Sequence, residues 1–320
     1  MTKQARGIGS AHGKIILMGE HSVVYGHPAL ALPFQAVEMT AEITPMPSRS
    51  VIRSALYEGP LQVTPPHLNN ISALVNKIRQ DLGMANRHIC LTISSSIPAE
   101  RGMGSSAAVA VAVIKAFYAF IDQPLSLADL IAYADYAEAI AHGQASGLDA
   151  RLAAYNLPLI YRKGQPVTDL HFESPYWLVV ADTGIPGNTK QAVAGIAKSL
   201  QSRHPNRKRA SQDLIQGLAQ ASQAFIDCLD QGATGRYQDL CDLMNQAQAN
   251  LQALQVSSQE LDYGIQLARQ AGAGGAKLTG GGRGGCFIAL CQTEAQAQQV
   301  SQALLDQELA VASWLTPFSA

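Results

Sequence analysis

The sequence predicts an α+β protein of two domains, and three observations lead to that prediction. The first half of the chain is rich in strand-like segments, whereas Ala, Gln and Leu in helical spacing dominate the second half. The chain has 320 residues, and single hydrophobic cores stop growing at roughly 250–300 residues. A change in composition near 170–176 divides the chain into predicted domains 1–175 and 176–320.

Strand and helix patterns alternate in the first half of the chain. The predicted order is an apolar strand with polar interruptions within 13–33, a strand at 35–45, turns and short edge strands at 45–66, a helix at 68–83, a strand at 88–98, helices at 104–121 and 126–142, and a third helix from about 147. The short edge strands follow from the prolines in that stretch, because proline cannot donate to a β ladder.

Helical spacing dominates the second half, after a buried strand predicted at 176–184. Residues 187–270 are predicted to be mostly helical, with a break at the basic cluster 203–209, which is interpreted as a solvated loop. A strand should follow the glycine cluster at 279–285, then a helix at 294–306 and a last strand within 308–318.

Composition and charge argue against several classes of function. The formal net charge of −1 gives no electrostatic reason to expect nucleic acid or an anionic membrane as a partner. No apolar run approaches the roughly 20 residues that span a bilayer, and the polar N-terminus does not resemble a signal peptide. The five cysteines include no CxxC pair, which argues against a disulfide framework or a zinc site. A cytoplasmic location is therefore expected.

The stretch "ERGMGSSAAVAVAVI", residues 100–114, has the composition of a phosphate-binding turn. Ser105 and Ser106 fall where a helix should begin, and helix N-termini expose unpaired N–H groups. Gly102 and Gly104 permit close approach to the backbone. The alternative is an ordinary serine N-cap before a tightly packed helix, and this stretch alone favours that alternative slightly. No Walker A pattern occurs in the chain.

A second glycine cluster, "TGGGRGG" at 279–285, contains a GxGxxG pattern at Gly280, Gly282 and Gly285. The apparent strand "CFIALC" follows it, whereas a dinucleotide fingerprint must open a helix. A glycine-rich hairpin is the simplest interpretation. Five glycines around one arginine exceed what a hairpin needs, so a second backbone loop near a phosphate or substrate explains them better.

Charged residues interrupt several apolar segments. They are Lys14, Glu20, His21, Glu138 and Asp149. Each has an ordinary explanation on its own, such as a solvated lysine or an acid near a helix N-terminus. As a set with the glycine loops, they point to phosphoryl transfer from a magnesium nucleotide. That reaction needs phosphate-binding amides, hard oxygen ligands, a cation for developing charge and a base for the acceptor hydroxyl.

Four segments, at 13–31, 97–108, 138–150 and 277–286, resemble the GHMP kinases in order and separation. The first and third are most similar to the members that phosphorylate the 5-hydroxyl of mevalonate. The resemblance implies an N-terminal nucleotide-binding α+β domain with a left-handed β-α-β unit, and a ferredoxin-like C-terminal domain. It also implies ATP as co-substrate, Mg²⁺, mevalonate as acceptor and a homodimer.

The same resemblance implies a role for each site residue. Asp149 would be the general base, and Lys14 beside it would stabilise the charge that develops on the hydroxyl. Ser106 and Glu138 would coordinate Mg²⁺. The nucleotide phosphates would bind at Glu100, Arg101, Gly102, Met103, Gly104, Ser105, Ser106 and Ala107. The acceptor would be contacted by Glu20, His21, Thr189, Gly281 and Gly282.

The sequence departs from the family pattern in four places. Met103 replaces a leucine, a size-conserving change, and Ala145 replaces a proline before Ser-Gly. Arg283 interrupts the second glycine cluster and would add a charge near the phosphates. Gly187 stands where some relatives carry a basic residue, which leaves the group that binds the substrate carboxylate open, with Lys190 as one candidate.

Other acceptors and one non-enzymatic role stay open at this point. A phosphorylated mevalonate or a sugar would use the same fold, although Val23 and Val24 stand where the sugar kinases carry an Asp-Tyr pair. A catalytically silent nucleotide-binding regulator is the third alternative. The presence of Lys14, Glu138 and Asp149 together argues against it.

Overall fold

A computed structural model describes residues 6–142 and 147–319, with only the backbone of residue 142. The chain forms two compact units, and both are discontinuous in sequence. Unit 1 comprises residues up to 14 with 33–98 and 104–156, and unit 2 comprises 15–32, 99–103 and 157 onward. The linear boundary at 175/176 stays a prediction.

The described residues form strands and helices in mixed order. The strands are β1 Gly7–Met18, β2 Ala29–Pro45, β3 Val51–Ser54, β4 Tyr57–Pro60, β5 Ile89–Ser95, β6 Leu159–Tyr161, β7 Thr168–Asp169, β8 Trp177–Asp182, β9 Gly275–Thr279, β10 Cys286–Cys291 and β11 Ala312–Pro317. The helices are α1 Asn69–Asp81, α2 Ser105–Phe120, α3 Leu127–His142, α4 Leu148–Tyr155, α5 Thr189–Leu200, α6 Pro205–Asp230, α7 Tyr237–Ala253, α8 Gln259–Gln270 and α9 Glu294–Asp306.

Unit 1 combines a mixed sheet with helices α1 to α4. The second half of β2 pairs antiparallel with β5, β5 pairs parallel with β3, and β3 forms a hairpin with β4. A parallel pair needs a crossover connection, and α1 lies in the chain between β3 and β5. The predicted β-α-β unit is therefore present, while its left-handedness stays a prediction.

Helix α2 is the central helix of unit 1. Its sequence is apolar on every face, and such a helix is stable only when it is surrounded. It packs against α1, α3 and α4, and most of its side chains are fully buried. The predicted bounds for α1, α2 and α3 agree with the structure to within two residues at each end.

Strand β1 begins at Gly7, earlier than the sequence indicates. A Cβ at Gly7 would lie 2.2 Å from the carbonyl oxygen of Ala116, and one at Gly9 would lie 2.3 Å from that of Ala112. The strand therefore approaches the backbone of α2 too closely for any side chain. The glycines that make this segment look irregular in sequence are what permit the contact.

Unit 2 contains a four-stranded antiparallel sheet in the order β11-β8-β10-β9. Along the chain the pattern is one strand, helices α5 to α8, a β9–β10 hairpin, helix α9 and a last strand. This is the β-α-β-β-α-β topology with extra helices in the first connection, so the predicted ferredoxin-like domain is confirmed. The first half of β2 also lies in unit 2, where it pairs with β6, and β6 pairs with β7.

Helix α6 begins inside the basic cluster, so the loop predicted at 203–209 is wrong from Pro205 onward, while the predicted exposure of the cluster is confirmed. Pro205 is the first helical residue, and Arg207, Lys208 and Arg209 lie in the first turns of α6. Proline suits this position because its missing N–H would have no intrahelical partner there.

Among the described residues, every helix is too short or too polar to span a bilayer.

Candidate active site

The predicted site residues divide between the two units, and each group is described within its own unit. Unit 1 holds Lys14, Glu138 and Asp149, together with the phosphate turn from Gly104 onward. Unit 2 holds the first part of that turn, the Glu20–His21 pair, Thr189 and the second glycine cluster.

In unit 1, Gly104 is the N-cap of α2 and adopts a left-handed conformation, with φ 73° and ψ 28°. The first intrahelical bond runs from the Ala108 N–H to the Gly104 carbonyl, at 3.0 Å. The amides of Ser105, Ser106 and Ala107 precede that bond and so have no acceptor within the helix. Because the N-cap has no side chain, the alternative of a serine cap does not apply, and the turn can offer its amides to an anion.

Ser106 and Glu138 form the second feature of unit 1. The Ser106 hydroxyl donates to Glu138 Oε1 at 2.6 Å, and Glu138 on α3 is only 5% exposed. A hydroxyl and a carboxylate are hard oxygen donors of the kind that Mg²⁺ prefers, with substrate phosphates and water completing its shell. Among the described residues no cluster of three or more His, Cys, Asp or Glu could hold a metal by itself. The Ser106–Glu138 pair supplies two hard oxygen donors, so its chemistry fits Mg²⁺.

Lys14 and Asp149 form the third feature of unit 1. Lys14 Nζ lies 3.2 Å from Asp149 Oδ1, and their side chains are 9% and 34% exposed. The aliphatic part of the Lys14 side chain packs over Gly104. A Cβ on residue 104 would lie 2.8 Å from Lys14 Cγ. Asp149 is in the first turn of α4, where the helix dipole favours a negative charge. A partly open carboxylate beside a buried ammonium is suited to accept a proton while nearby negative charge develops.

The segment between Glu138 and Asp149 is only partly described. Residues 143–146, which include the Ala145 departure from the family pattern, lie outside the described residues.

In unit 2 the two glycine motifs contact each other. A Cβ at Gly280 would lie 3.3 Å from Gly102 Cα, and one at Gly285 would lie 2.9 Å from the Arg101 carbonyl oxygen. The Gly187 N–H donates to the Glu100 carbonyl at 2.8 Å. The first part of the phosphate turn is therefore fastened to the second glycine cluster and to the segment before α5.

Side chains anchor the same part of the phosphate turn. Arg101 Nε donates to Asp182 Oδ1 at 2.8 Å, and its Nη2 donates to the Gly184 carbonyl at 2.7 Å. Met103 is fully buried. The Arg101 guanidinium is thus engaged in holding the turn, so the backbone of residues 100–103 is the part that remains suited to phosphate.

A buried ion pair in unit 2 joins Lys277 to Glu20, one of the residues predicted to contact the phosphoryl acceptor. The Lys277 ammonium contacts the Glu20 carboxylate, and it also donates to the Leu278 carbonyl at 2.7 Å. Both side chains are fully buried. Burial lowers the pKa of Lys277, while the Glu20 charge opposes that shift. Sequence analysis missed Lys277, although a lysine within the otherwise apolar strand β9 is the signal that could have found it.

His21, next to Glu20, is 6% exposed and has a positive φ of 63°. The pKa of His21 is lowered to about 4, mainly by burial. A hydrogen bond to the Gly281 backbone raises this pKa, whereas the charges of Lys277 and Arg283 lower it further. The imidazole is therefore neutral at neutral pH. Its buried Nε2 has no hydrogen-bond partner within the described part of the chain, which leaves one polar atom for a bound molecule.

Thr189 and the second glycine cluster meet at the start of α5. A Cβ at Gly281 would lie 1.8 Å from Thr189 Oγ1, and one at Gly282 would lie 2.1 Å from the Val256 carbonyl oxygen. The Asn188 N–H donates to the Gly282 carbonyl at 3.1 Å. Unit 2 therefore brings together the acceptor residues that the sequence predicts, namely Glu20, His21, Thr189, Gly281 and Gly282.

Two models of known protein families match this chain. The model of the GHMP kinases N terminal domain matches residues 69–156, and the model of the GHMP kinases C terminal domain matches residues 225–310. Together they cover more than half of the chain, with the phosphate turn and the predicted base in the first match. The chain belongs to the GHMP kinase family.

Several individual relatives carry a more specific name than the family, mevalonate kinase. Mevalonate kinase from Thermococcus gammatolerans is 31% identical over 301 residues, which cover 89% of each chain. The crystal structure of mevalonate kinase from methicillin-resistant Staphylococcus aureus MRSA252 is 30% identical, with a TM-score of 0.74, and the match covers 99% of this chain and 100% of that one. The L. major mevalonate kinase in complex with R-mevalonate is 25% identical with a TM-score of 0.81, covering both chains fully. The chain is thus similar to mevalonate kinases along most of its length.

Proposed function

We propose that the protein transfers the γ-phosphoryl group of ATP to the 5-hydroxyl of mevalonate and releases 5-phosphomevalonate and ADP. The observation that carries this proposal is the Lys14–Asp149 pair at 3.2 Å, with the carboxylate partly open and the ammonium buried. Similarity to mevalonate kinases along most of the chain supports mevalonate as the acceptor.

The proposed reaction is a direct in-line transfer. Asp149 takes the proton from the acceptor hydroxyl, and Lys14 stabilises the negative charge on that oxygen as it attacks phosphorus. No covalent intermediate on the protein is needed. Thr189 and the neutral His21 contact the acceptor, and Glu20 supports this site through its buried pair with Lys277.

The nucleotide is proposed to bind at the phosphate turn. The amides of Ser105, Ser106 and Ala107 at the N-terminus of α2 would receive its phosphates, since the helix dipole also favours negative charge there. Ser106 and Glu138 would hold Mg²⁺. When bound, the ion neutralises charge on the β- and γ-phosphates.

We further propose that the enzyme acts as a homodimer in the cytoplasm. The five cysteines are all free thiols, which supports a reducing compartment. Support for the dimer comes from the family resemblance.

ADP release by the purified protein tests the proposed function. The protein is supplied with Mg-ATP and, in separate reactions, with mevalonate, phosphomevalonate, galactose or homoserine. Turnover with mevalonate and background rates with the other three are expected. Turnover with another acceptor would replace mevalonate as the substrate. ATP binding without turnover on any acceptor would favour a regulator.

A further inference from the structure

Arg283 occupies a backbone position that suits glycine. Its φ is 57°, and it lies between Gly282 and Gly284, which also have positive φ values of 75° and 116°. Its N–H donates to the Val256 carbonyl at 2.8 Å, so the conformation is held in place. A left-handed conformation is unfavourable for a residue with a side chain, because its Cβ comes too close to the following carbonyl oxygen. The backbone therefore gives no reason for an arginine here, and the reason must lie in the side chain.

No residue in the described part of the chain pairs with the Arg283 side chain in a way that would explain it. Its Nε is buried without a hydrogen bond, and the guanidinium forms no ion pair with any residue in the described ranges. One terminal nitrogen lies beside Gly195 on α5, 3.4 Å from where a Cβ would stand. A partly buried guanidinium without a counter-charge is costly, so this group is suited to an anion that binds from solution.

Arg283 lies beside the residues that are predicted to contact the phosphoryl acceptor. The Arg283 charge acts on His21, whose buried Nε2 also lacks a partner among the described residues. The neighbouring cation, Lys277, already contacts Glu20. Gly281 and Gly282 join Arg283 to Thr189 at the start of α5. Within unit 2, the uncompensated positive charge beside these groups is therefore that of Arg283.

We infer that Arg283 binds the carboxylate of the acceptor and selects acceptors that carry one. The inference rests on the proposed function and identifies the carboxylate-binding group for it. A guanidinium can donate two parallel hydrogen bonds to a carboxylate, which fixes both the charge and the orientation of the substrate. Lys190 is the other candidate for this role and is exposed near the start of α5, so Lys190→Gln tests that competing assignment.

The test compares Arg283→Gly, Arg283→Lys and Lys190→Gln with the wild-type protein. Glycine suits the backbone at 283, so Arg283→Gly should fold, and thermal unfolding checks this. The acceptors are mevalonate and 3-methylpentane-1,3,5-triol, which replaces the carboxylate with a hydroxymethyl group. Both KM and kcat are measured for each acceptor and for ATP, and mevalonate binding is measured by calorimetry.

In the wild-type protein, kcat/KM should favour mevalonate over the triol. Arg283→Gly should raise the KM for mevalonate about ten- to hundred-fold, leave the KM for ATP unchanged and abolish the preference for mevalonate. Arg283→Lys should restore part of that preference, and Lys190→Gln should leave it intact.

An unchanged preference in Arg283→Gly, or its loss in Lys190→Gln, would overturn the inference while the proposed function stands. A raised KM for ATP with an unchanged KM for mevalonate would move the guanidinium to the nucleotide phosphates and also overturn it. A wild-type protein that neither binds nor phosphorylates mevalonate would overturn the proposed function and this inference together.

Discussion

Asp149 is the residue on which the proposed chemistry depends most, because no other carboxylate in the described part of unit 1 pairs with Lys14. Asp149→Asn removes the proton acceptor and keeps the shape of the side chain. The variant should fold and bind ATP, and kcat should fall by roughly 10²- to 10⁴-fold, the usual contribution of a general base. Steady-state kinetics with mevalonate and a nucleotide-binding titration measure the two effects.

Asp135→Asn is the matched control for this prediction. Asp135 also pairs with a cation, Arg151, at 3.2 Å, and its side chain is similarly exposed. Its loss should leave kcat near the wild-type value. Equal losses of kcat in the two variants would indicate a structural effect, and full activity of Asp149→Asn would exclude it as the base.

Protonation of His21 should make the stability of the protein depend on pH. Its pKa is lowered from 6.5 to about 4 in the folded protein, so between these values the unfolded chain binds the proton more strongly. The free energy of unfolding should be highest above pH 6.5 and should decrease toward pH 4, with a contribution from His21 of about 3 kcal/mol at most.

Urea unfolding from pH 7 to pH 4.5 measures this dependence. His21→Gln removes the titrating group, so its stability should fall less steeply with acid than that of the wild-type protein. His171→Gln is the control, because the His171 side chain is exposed. If His21→Gln and wild type lose stability equally, protonation of His21 is not the cause.

At the scale of secondary structure elements, the contact between α2 and α3 joins Ser106 to Glu138, the residues proposed to hold Mg²⁺. Glu138→Gln keeps a hydrogen-bond acceptor for Ser106 and removes the negative charge. The Mg²⁺ concentration that gives half-maximal activity should rise about ten-fold or more. Asp129→Asn is the control on the same helix, since Asp129 also accepts a serine hydroxyl at 2.6 Å. An unchanged magnesium requirement in Glu138→Gln would argue against its role as a ligand.

The second glycine cluster and α5 are fitted together without room for a methyl group. In Gly281→Ala the new Cβ would meet not only Thr189 Oγ1 but also Thr189 Cβ at 2.6 Å and Cα at 2.8 Å, so a change of rotamer cannot relieve it. The loop must shift, at a cost of about 1–3 kcal/mol. The KM for mevalonate should rise more than the KM for ATP.

Gly217→Ala provides the comparison for this loop variant. Its nearest neighbour is the Asn250 side chain, at 2.8 Å from the new Cβ, and that side chain can move aside. Both KM values should stay near those of the wild-type protein. A larger rise in the KM for ATP in Gly281→Ala would show that the loop serves the nucleotide instead.

Most elements could be predicted from the sequence where local periodicity decides them. The bounds of α1, α2, α3 and α9 lie within two residues of those that the sequence predicts. The start of α6 could not be predicted in this way. The run of basic residues suggested a loop, whereas Pro205 allows a helix to begin. The early start of β1 depends on contact between Gly7 and α2, which is distant in sequence.

For the whole molecule, the motifs predicted the family, and they also predicted which of the proposed site residues lie side by side. Lys14 with Asp149, and Ser106 with Glu138, are paired as the resemblance implies. Each unit is assembled from segments that are distant in sequence, and local sequence does not encode which segments pack together. The lysine in the otherwise apolar strand β9 was a local signal for Lys277, but its partner Glu20, 257 residues away, could not be predicted locally.

The position of the phosphate on the product tests the central claim most directly. The protein is incubated with Mg-ATP and mevalonate, and the product is examined by ³¹P NMR. We predict one new phosphate ester whose signal is split into a triplet by the two protons on C5, formed in equal amount to ADP. A singlet, as expected for an ester on the tertiary 3-hydroxyl, or ADP formation without any phosphate ester, would contradict the proposed transfer to the 5-hydroxyl.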